Sequence, residues 1–478
     1  MNRKWIALMM TGSLLTGAGG TYAGMQLLEK KADSTGPQTG TKFVQADTEN
    51  LAKMDQAYEL ILNRYVEKVD RKKLVEGAIQ GMLSVLNDPY STYMDKDTAQ
   101  QFTQSLDSSF EGIGAEVGMV DGKIVIVSPF KNSPAERAGL RPNDQILKVN
   151  GKSVEGLDLN KATLQIRGKK GTTVELEIAR NSLKEPITIK VTRDEIPLET
   201  VNGSLKEYKG KKIGYIDITS FSNNTAEEFK KELNSLEGDH IQGLVLDVRG
   251  NPGGYLVTVE DILKEFVPKD KPMVQIQQRN GERKRYFTNL SHKKAYPVVV
   301  LVNKGSASAS EILAGSLKEA AGYQLVGETT FGKGTVQQPI PMGDGSNIKL
   351  TLFKWLTPNG NWIHKKGIKP DVEIKQPEIF NIQPLSLREP LVQDMNNEQV
   401  KVAQQILQGL GFSPGREDGY YSDETVNAVK GFQQFTRLPV TGVIDSVTAD
   451  KMEETALKEI KIEKNDLQLQ VALSLAAK

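Results

Sequence analysis

The sequence predicts a multidomain α+β protein: an N-terminal helical segment, a β-rich domain, a mixed α/β core and a small α-helical C-terminal domain. Three observations carry this. The length of 478 residues allows about three domains at roughly 150 residues each. Apolar residues recur at helical spacing in the first hundred positions, then give way to short strands from Phe110. From Lys212 onward strands alternate with helices, the order of a mixed α/β core. Basic and acidic residues nearly balance, 61 against 60, so no general field favours nucleic acid. The absence of cysteine excludes disulfides, thiol nucleophiles and Cys-ligated metals. With three histidines, His-based sites have few candidates.

Asn2-Arg3-Lys4 precedes Trp5–Leu28, 24 residues without a charge, enough to cross a bilayer core of roughly 30 Å. Thr21-Tyr22-Ala23 has the small-residue ending of a cleavage site. Residues 1–30 are therefore a signal peptide or an uncleaved anchor, and the length of the run favours the anchor. Either places the remainder outside the cytoplasm. Residues 31–43 read as a polar linker. Over 44–108, Leu51, Met54, Tyr58, Ile61, Leu62 and Tyr65 form one helical face, continued by Leu74, Ile79, Met82, Leu83 and Leu86. That face packs either within the chain or on a second copy.

In residues 109–182, Lys123–Val127 reads as a strand and Ser133–Leu140 as a short capped helix. Asp144–Val149 is a strand closed by the Asn150-Gly151 turn, and Thr173–Ile178 alternates cleanly. GIGAEV, SPAERAGLRPNDQILKVNG and RGKKGTTVELEI, in that order and spacing, resemble a PDZ domain. The resemblance implies that a peptide's C-terminus adds as a strand while backbone amides of Gly112-Ile113-Gly114-Ala115 capture its carboxylate.

Over 183–381, Lys212–Ser220, Gly243–Val248, Pro297–Val302 and Tyr323–Val326 read as strands, with a helix from Ser308. Lys349–Trp355 and Asp371–Ile374 are expected to extend the same sheet. Residues 382–396 read as a linker around Pro384 and Pro390. In 397–456, Val402, Ile406, Leu407 and Leu410 mark one helix, and Val426, Val429, Phe432 and Phe435 another. The pattern G-x-x-[SD]-x-x-T recurs at Gly419–Thr425 and Gly442–Thr448, each ending a turn with a helix cap. DGYYSDETVNAVKGFQ and LPVTGVIDSVTADKM resemble the small helical peptidoglycan-binding domain, which implies peptidoglycan as a partner; a ligand-free helical bundle is the alternative. The tail, 457–478, reads as helical and charged, without visible chemistry.

The chemistry concentrates in Asn303–Glu311 (NKGSASASE), between an apolar strand and a helix. Ser308 and Glu311 fit the S-x-x-E capping box, which by itself accounts for a serine there. A nucleophile needs, in addition, an exposed hydroxyl and a base. Lys333, between glycines in ETTFGKGT, can serve as a base only if burial lowers its pKa from about 10.4, and a drop of three units costs about 4 kcal/mol. A neutral acceptor such as Gln337 would orient the amine without raising its pKa.

GSASASE, ETTFGKGTVQQ, DVRGNPGG and TPNGNWIHKKGIKPD, downstream of the PDZ-like segment, together resemble the carboxy-terminal processing serine proteases over about Leu51–Glu373. The core is then a protease core. The resemblance implies Ser308 as nucleophile, Lys333 as general base and Gln337 as the group that orients it, in acyl transfer. An oxyanion hole would use the Ala309 N–H and an N–H of Gly253 or Gly254, the choice staying open. It also implies that the PDZ domain presents substrate C-termini and gates the site. Arg167, opening the turn before Thr173, is a candidate to sense bound peptide and relay domain position. No metal or organic cofactor is implied. The expected partners are protein substrates with accessible, apolar C-termini, a second copy in a homodimer, and the membrane through the N-terminal segment, all at the bacterial cell envelope.

Rival readings fare less well. Gly327–Lys333 fits G-x-x-x-x-G-K, but Gly334 replaces the Mg²⁺-binding hydroxyl and TVQQPI reads as a strand, so a nucleotide site is rejected. S-x-x-K occurs at Ser128, Ser291 and Ser346 without S-D-N or K-T-G, which speaks against a wall transpeptidase. Spacing alone leaves a His-dependent serine mechanism open, although His240, His292 and His364 lack a motif that favours it. A non-catalytic PDZ and peptidoglycan-binding scaffold is the alternative of a different class; it expects Ser308→Ala to change nothing.

Overall fold

The computed structural model describes residues 48–478, apart from 108, 121, 131, 158, 181, 182, 184, 382–384, 386 and 388. The signal or anchor segment, the linker 31–43 and most of the 382–388 stretch lie outside the described residues. Among the described residues no helix is long and apolar enough to cross a membrane. The chain divides at Gly81 into two units. The first carries the helix Thr48–Arg64 and most of Arg71–Ser84. Of its predicted apolar face, Leu51, Met54, Ile61 and Tyr65 are exposed, and Tyr58 and Leu62 are half-buried.

In the second unit, the β-rich region is one sheet in the order Ala115–Val120, Lys123–Pro129, Gln145–Val149, Thr173–Ala179, Ile187–Thr192. Its last strand, Ile187–Thr192, lies beyond residues 109–182. Alternation sends Val174, Leu176 and Ile178 fully inside. Ser133 caps the short helix Pro134–Arg137 by accepting from Glu136 N–H. Ala115–Val120 is an edge strand, so one of its sides has no strand partner.

The core sheet runs Val201–Tyr208, Lys211–Ile218, Gly243–Asp247, Val298–Val302, Gln324–Gly327, Val372–Glu373, with the first pair antiparallel and the rest parallel. Its central strands are buried at every position, as a parallel sheet covered on both faces requires. Side-chain alternation divides them between two cores. Leu244, Leu246, Val298 and Val300 pack with the helices Thr225–Gly238, Leu256–Leu263 and Ala309–Glu319. Val245, Val299 and Leu301 face the helix Leu467–Ala476 through Leu469, Ala472, Leu473 and Ala476. The tail expected to be a charged helix is therefore corrected in part: its helix Leu467–Ala476 carries no charge and closes the second face of the core sheet.

A second correction concerns Lys349–Trp355. The strand Asn347–Leu356 does not extend the core sheet; it forms a separate antiparallel one with Thr335–Pro341, Thr92–Met94 and the hairpin Val274–Gln277/Arg283–Tyr286. Most of it is only half-buried, unlike the fully buried core strands, and a short turn to Thr335–Pro341 makes the hairpin the local choice.

The C-terminal helices Glu398–Gly409, Asp423–Thr436 and Ser446–Lys461 surround their own apolar cluster. The short sequence echo has a structural basis. Ser422 and Asp445 both cap helices, accepting from Thr425 and Thr448 N–H. Each half also holds a buried glutamine: Gln404 accepts from Gly419 N–H and donates to Thr425 Oγ1, as Gln433 does with Gly442 and Thr448.

Asp217 and Asp247 stand opposite one another in the parallel ladder. Burial, reinforced by Asp247, pushes the Asp217 carboxyl up to about 6, against the opposing effects of Asn202 and Arg249. A carboxyl that holds its proton more tightly when folded stabilises the fold below its unfolded pKa, and that contribution is lost as pH rises through about 6. Asp217→Asn should raise Tm by roughly 2–4 °C at pH 7.5 and have little effect near pH 4. Calorimetry at both pH values checks this; an equal shift at the two would contradict it.

Candidate active site

Three serines alternate at the junction between Val298–Val302 and the helix Ala309–Glu319. Two are fully buried and structural: Ser306 Oγ donates to Val248 O at 2.7 Å and Ser310 Oγ to Asn251 O at 2.8 Å. Ser308, between them, is half-buried and has φ 55° and ψ −112°. The ordinary caps Ser422 and Asp445 are extended, with φ −82° and −85°, as caps normally are. Positive φ at a serine stores about 1–3 kcal/mol of strain, and a sharp strand-to-helix turn of this kind is how a nucleophile elbow presents its hydroxyl. The capping pair with Glu311 forms as well, through Ser308 N–H donating to Glu311 Oε2 at 2.9 Å.

Glu311 is where the site is knotted. It is fully buried, and its carboxylate accepts four hydrogen bonds. Thr330 Oγ1 at 2.6 Å and Gly332 N–H at 2.7 Å reach Oε1; Ser308 N–H at 2.9 Å and Lys333 N–H at 2.8 Å reach Oε2. One oxygen therefore binds the main chains of both Ser308 and Lys333. The sequence reading gave Glu311 only the capping role, since the S-x-x-E spacing says nothing about a loop 22 residues away.

The glycines beside Lys333 allow its loop to lie against residues 362–367. A Cβ on Gly332 would come within 2.9–3.1 Å of the backbone nitrogens of Gly367, Lys366 and Lys365, and one on Gly334 within 2.8 Å of His364 N. Trp355 Nε1 donates to Lys333 O and Trp362 Nε1 to Gly334 O, each at 2.8 Å. The motif TPNGNWIHKKGIKPD is thus the bed of the lysine loop. Burial first, and then Lys349, push the Lys333 amine below the usual lysine value, while Glu311 and Asp88 oppose the shift. Its Nζ lies 5.0 Å from the centre of the Tyr90 ring, a contact not visible in the sequence. His364 stacks on Trp362 at 5.1 Å and packs the loop; no hydrogen bond joins it to Ser308 among the described residues.

Gln337 lies beside a bulge in its strand pair. Its Nε2 donates to Thr335 Oγ1 at 2.9 Å and Thr351 Oγ1 at 3.0 Å. Among the described residues no hydrogen bond links Gln337 to Lys333. Tyr90, Thr335, Thr351, Trp362 and His364 also line a cavity of about 620 Å³, large enough for side chains of a bound peptide. No described cluster of His, Asp and Glu could hold a metal ion.

The loop Arg249–Gly254 meets the Ser306–Ser310 turn through buried Asn251, whose Nδ2 donates to Ile218 O at 2.7 Å and whose O accepts from Ala307 N–H at 3.0 Å. Gly253 has φ +106°, and a Cβ there would sit 2.9 Å from Ser308 Cβ and 3.0 Å from Ala309 N. Its own N–H is engaged by Asn251 Oδ1 at 2.9 Å. The Gly254 N–H has no hydrogen-bond partner among the described residues. At the β-rich domain, the Ile113 and Gly114 carbonyls turn inward to Ala135 and Phe130 N–H. Arg167 is exposed, with its guanidinium 4.9 Å from the Phe110 ring centre, beside Gly112 at the mouth of the Gly112–Ala115 loop.

Family models match four stretches: the N-terminal domain of the activating protease CtpB at 14–98, a PDZ domain at 112–191, peptidase family S41 at 212–374 and a peptidoglycan-binding domain at 396–452. The chain is 62% identical over 476 residues, 99% of each chain, to the carboxy-terminal processing protease CtpB of Bacillus subtilis strain 168. It is 44% identical to CtpA of the same organism over 439 residues, covering 92% of this chain and 93% of that one. Among solved structures it is similar to a photosystem II D1 C-terminal processing protease, at 30% identity over 68% of this chain and 86% of that one, with TM-score 0.43.

Glu311→Gln would place an amide NH₂ among four donors. It should lower stability by about 2–4 kcal/mol in urea unfolding and abolish turnover. An unchanged unfolding midpoint would show that the four bonds do not bear on the fold.

Proposed function

The chain belongs to peptidase family S41 as a PDZ-containing carboxy-terminal processing serine protease, and we propose that it cleaves envelope or membrane-anchored proteins through a Ser308–Lys333 acyl-enzyme mechanism, in regulatory processing. The observation that carries this reading is the shared Glu311 oxygen, which brings a strained serine and a half-buried lysine to one point. Ser308 Oγ attacks the scissile carbonyl while neutral Lys333 takes its proton and passes it to the leaving amine. Water then releases the acyl group by the same route. Gln337 orients the lysine: with Nε2 committed to two threonines, its Oε1 is the acceptor left for the amine. The oxyanion is held by Ala309 N–H and Gly254 N–H, because the Gly253 donor is engaged by Asn251.

Substrate C-termini add to the open edge of Ala115–Val120, with the carboxylate at Gly112–Ala115. Arg167, over Phe110, senses the bound end and couples it to the core. The C-terminal domain holds the enzyme at peptidoglycan, the N-terminal segment holds it at the membrane, and the exposed apolar face of Thr48–Arg64 pairs two copies. The scaffold alternative has no use for strain at Ser308 or for a buried lysine.

The deciding test is proteolysis of an unstructured protein by wild type, Ser308→Ala and Lys333→Ala, with and without a peptide ending in apolar residues. Cleavage by wild type alone, raised by peptide, is expected. Equal cleavage by all three would move the nucleophile elsewhere, and none under any condition would favour the scaffold. Because the base must be neutral, kcat/KM should rise with pH to a plateau reached below the ordinary lysine value of about 10.4. A profile still climbing at pH 10.5 would remove Lys333 as the base. Arg167→Ala should keep basal cleavage and lose stimulation by peptide; intact stimulation would remove its sensing role.

A further inference from the structure

Arg249 opens the loop that carries Asn251, Gly253 and Gly254, yet its guanidinium points away from Ser308 into a buried ionic cluster. Its side chain is 15% exposed, and those of Asp247 and Asp466 are 5% and 13% exposed. All five of its N–H groups find acceptors. Nε donates to Asp247 at 3.0 Å, Nη1 to Asp466 Oδ1 at 2.9 Å and Gln468 Oε1 at 3.1 Å, and Nη2 to Asp247 Oδ2 at 2.6 Å and Asp466 Oδ2 at 2.8 Å.

Asp466 is itself fixed. It caps the helix Leu467–Ala476 by accepting from Leu469 N–H at 2.9 Å, and it accepts from Gln376 Nε2 at 2.6 Å. Gln468 Nε2 in turn donates to Ile374 O at 2.8 Å. The helix seats on the core sheet so closely that a Cβ on Gly243 would fall 2.0 Å from Ala476 O. A segment beyond the peptidoglycan-binding domain thus supplies three of the acceptors that set the first residue of the oxyanion loop.

We propose that Asp466 is a positioning residue for proteolysis: docked on the sheet with its helix, it fixes Arg249 and thereby the Gly250–Gly254 loop, so that the oxyanion donors stand in register with Ser308 only when this helix is seated. The proposal rests on the assignment of Ser308 and that loop as the proteolytic centre. It makes 463–478 a part of the active enzyme that can act as a cis-regulatory handle, since anything that lifts the helix loosens the loop without touching the Ser308–Lys333 pair.

The test compares Asp466→Asn and Asp466→Glu with Leu473→Ala in the full chain. The last removes packing under the same helix but leaves the ion pair. Turnover of an unstructured protein and hydrogen exchange at residues 249–255 are both read, the exchange also in the Ser308→Ala background. Asp466→Asn should lower kcat about 10- to 100-fold with KM unchanged and speed exchange in 249–255. Asp466→Glu should recover part of the rate. Leu473→Ala should lower Tm at least as far while keeping most of kcat. Unchanged exchange in 249–255 for Asp466→Asn would overturn the clamp, and faster exchange with unchanged kcat would overturn its link to catalysis. A kcat loss that merely tracks Tm across all variants would also overturn it. Equal turnover by wild type and Ser308→Ala would instead overturn the nucleophile assignment, and the exchange data would then report on the clamp alone.

Discussion

A single buried carboxylate ties the candidate site together. Glu311 receives Ser308, Thr330, Gly332 and Lys333, drawn from the start of one helix and from a loop after the next strand. In a low-dielectric interior such a group is costly unless every lone pair is used, and here the four donors meet that demand. The cost of burial forces the geometry: the two loops have no freedom to separate without stranding the carboxylate. The strain at Ser308 is held by the same bonds, since its N–H is one of the four donors.

The rest of the core serves this point. The parallel sheet ends Gly243–Asp247 and Val298–Val302 side by side, so the loops that follow them meet at one edge, where the chemistry of open α/β sheets is usually found. The two buried serines stitch those loops together by donating to Val248 O and Asn251 O, the Asn251 main chain adds a bond from Ala307 N–H, and the middle serine is left half-buried. The antiparallel sheet supplies the other wall. Trp355 in that sheet and Trp362 beyond it hold the lysine loop by its Lys333 and Gly334 carbonyls.

Much of this was legible in the sequence. Periodicity and turn residues placed the core strands and the helix after Ser308, and the motifs singled out the stretches that hold Ser308, Lys333 and Gln337. What the sequence did not show was long-range. Glu311 looked like a cap because its local partner is three residues away, whereas its other donors come from 330–333. Tyr90 beside Lys333, Asn251 between the loops and Asp466 on Arg249 are contacts across the fold with no spacing rule behind them. The strand Asn347–Leu356 was misassigned because its composition resembles a core strand while its partner is its hairpin neighbour. The final helix carried a readable signal, the apolar run in LQLQVALSLA, but charge on either side of it hid the pattern.

Asp466 follows Arg249 by 217 residues, and that interval is also a time. A chain made at about 5–20 residues per second needs roughly 10–40 s to pass from one to the other. Until residue 466 is made, Asp247 is the one carboxylate of the cluster available to the guanidinium, and the core-sheet face that Leu467–Ala476 covers lacks that helix. Ser308, Glu311 and Lys333 are all made before Asp466 is. The order of residues therefore sets an order of assembly: the residues of the candidate site are made first, and the carboxylate that completes the Arg249 cluster follows them.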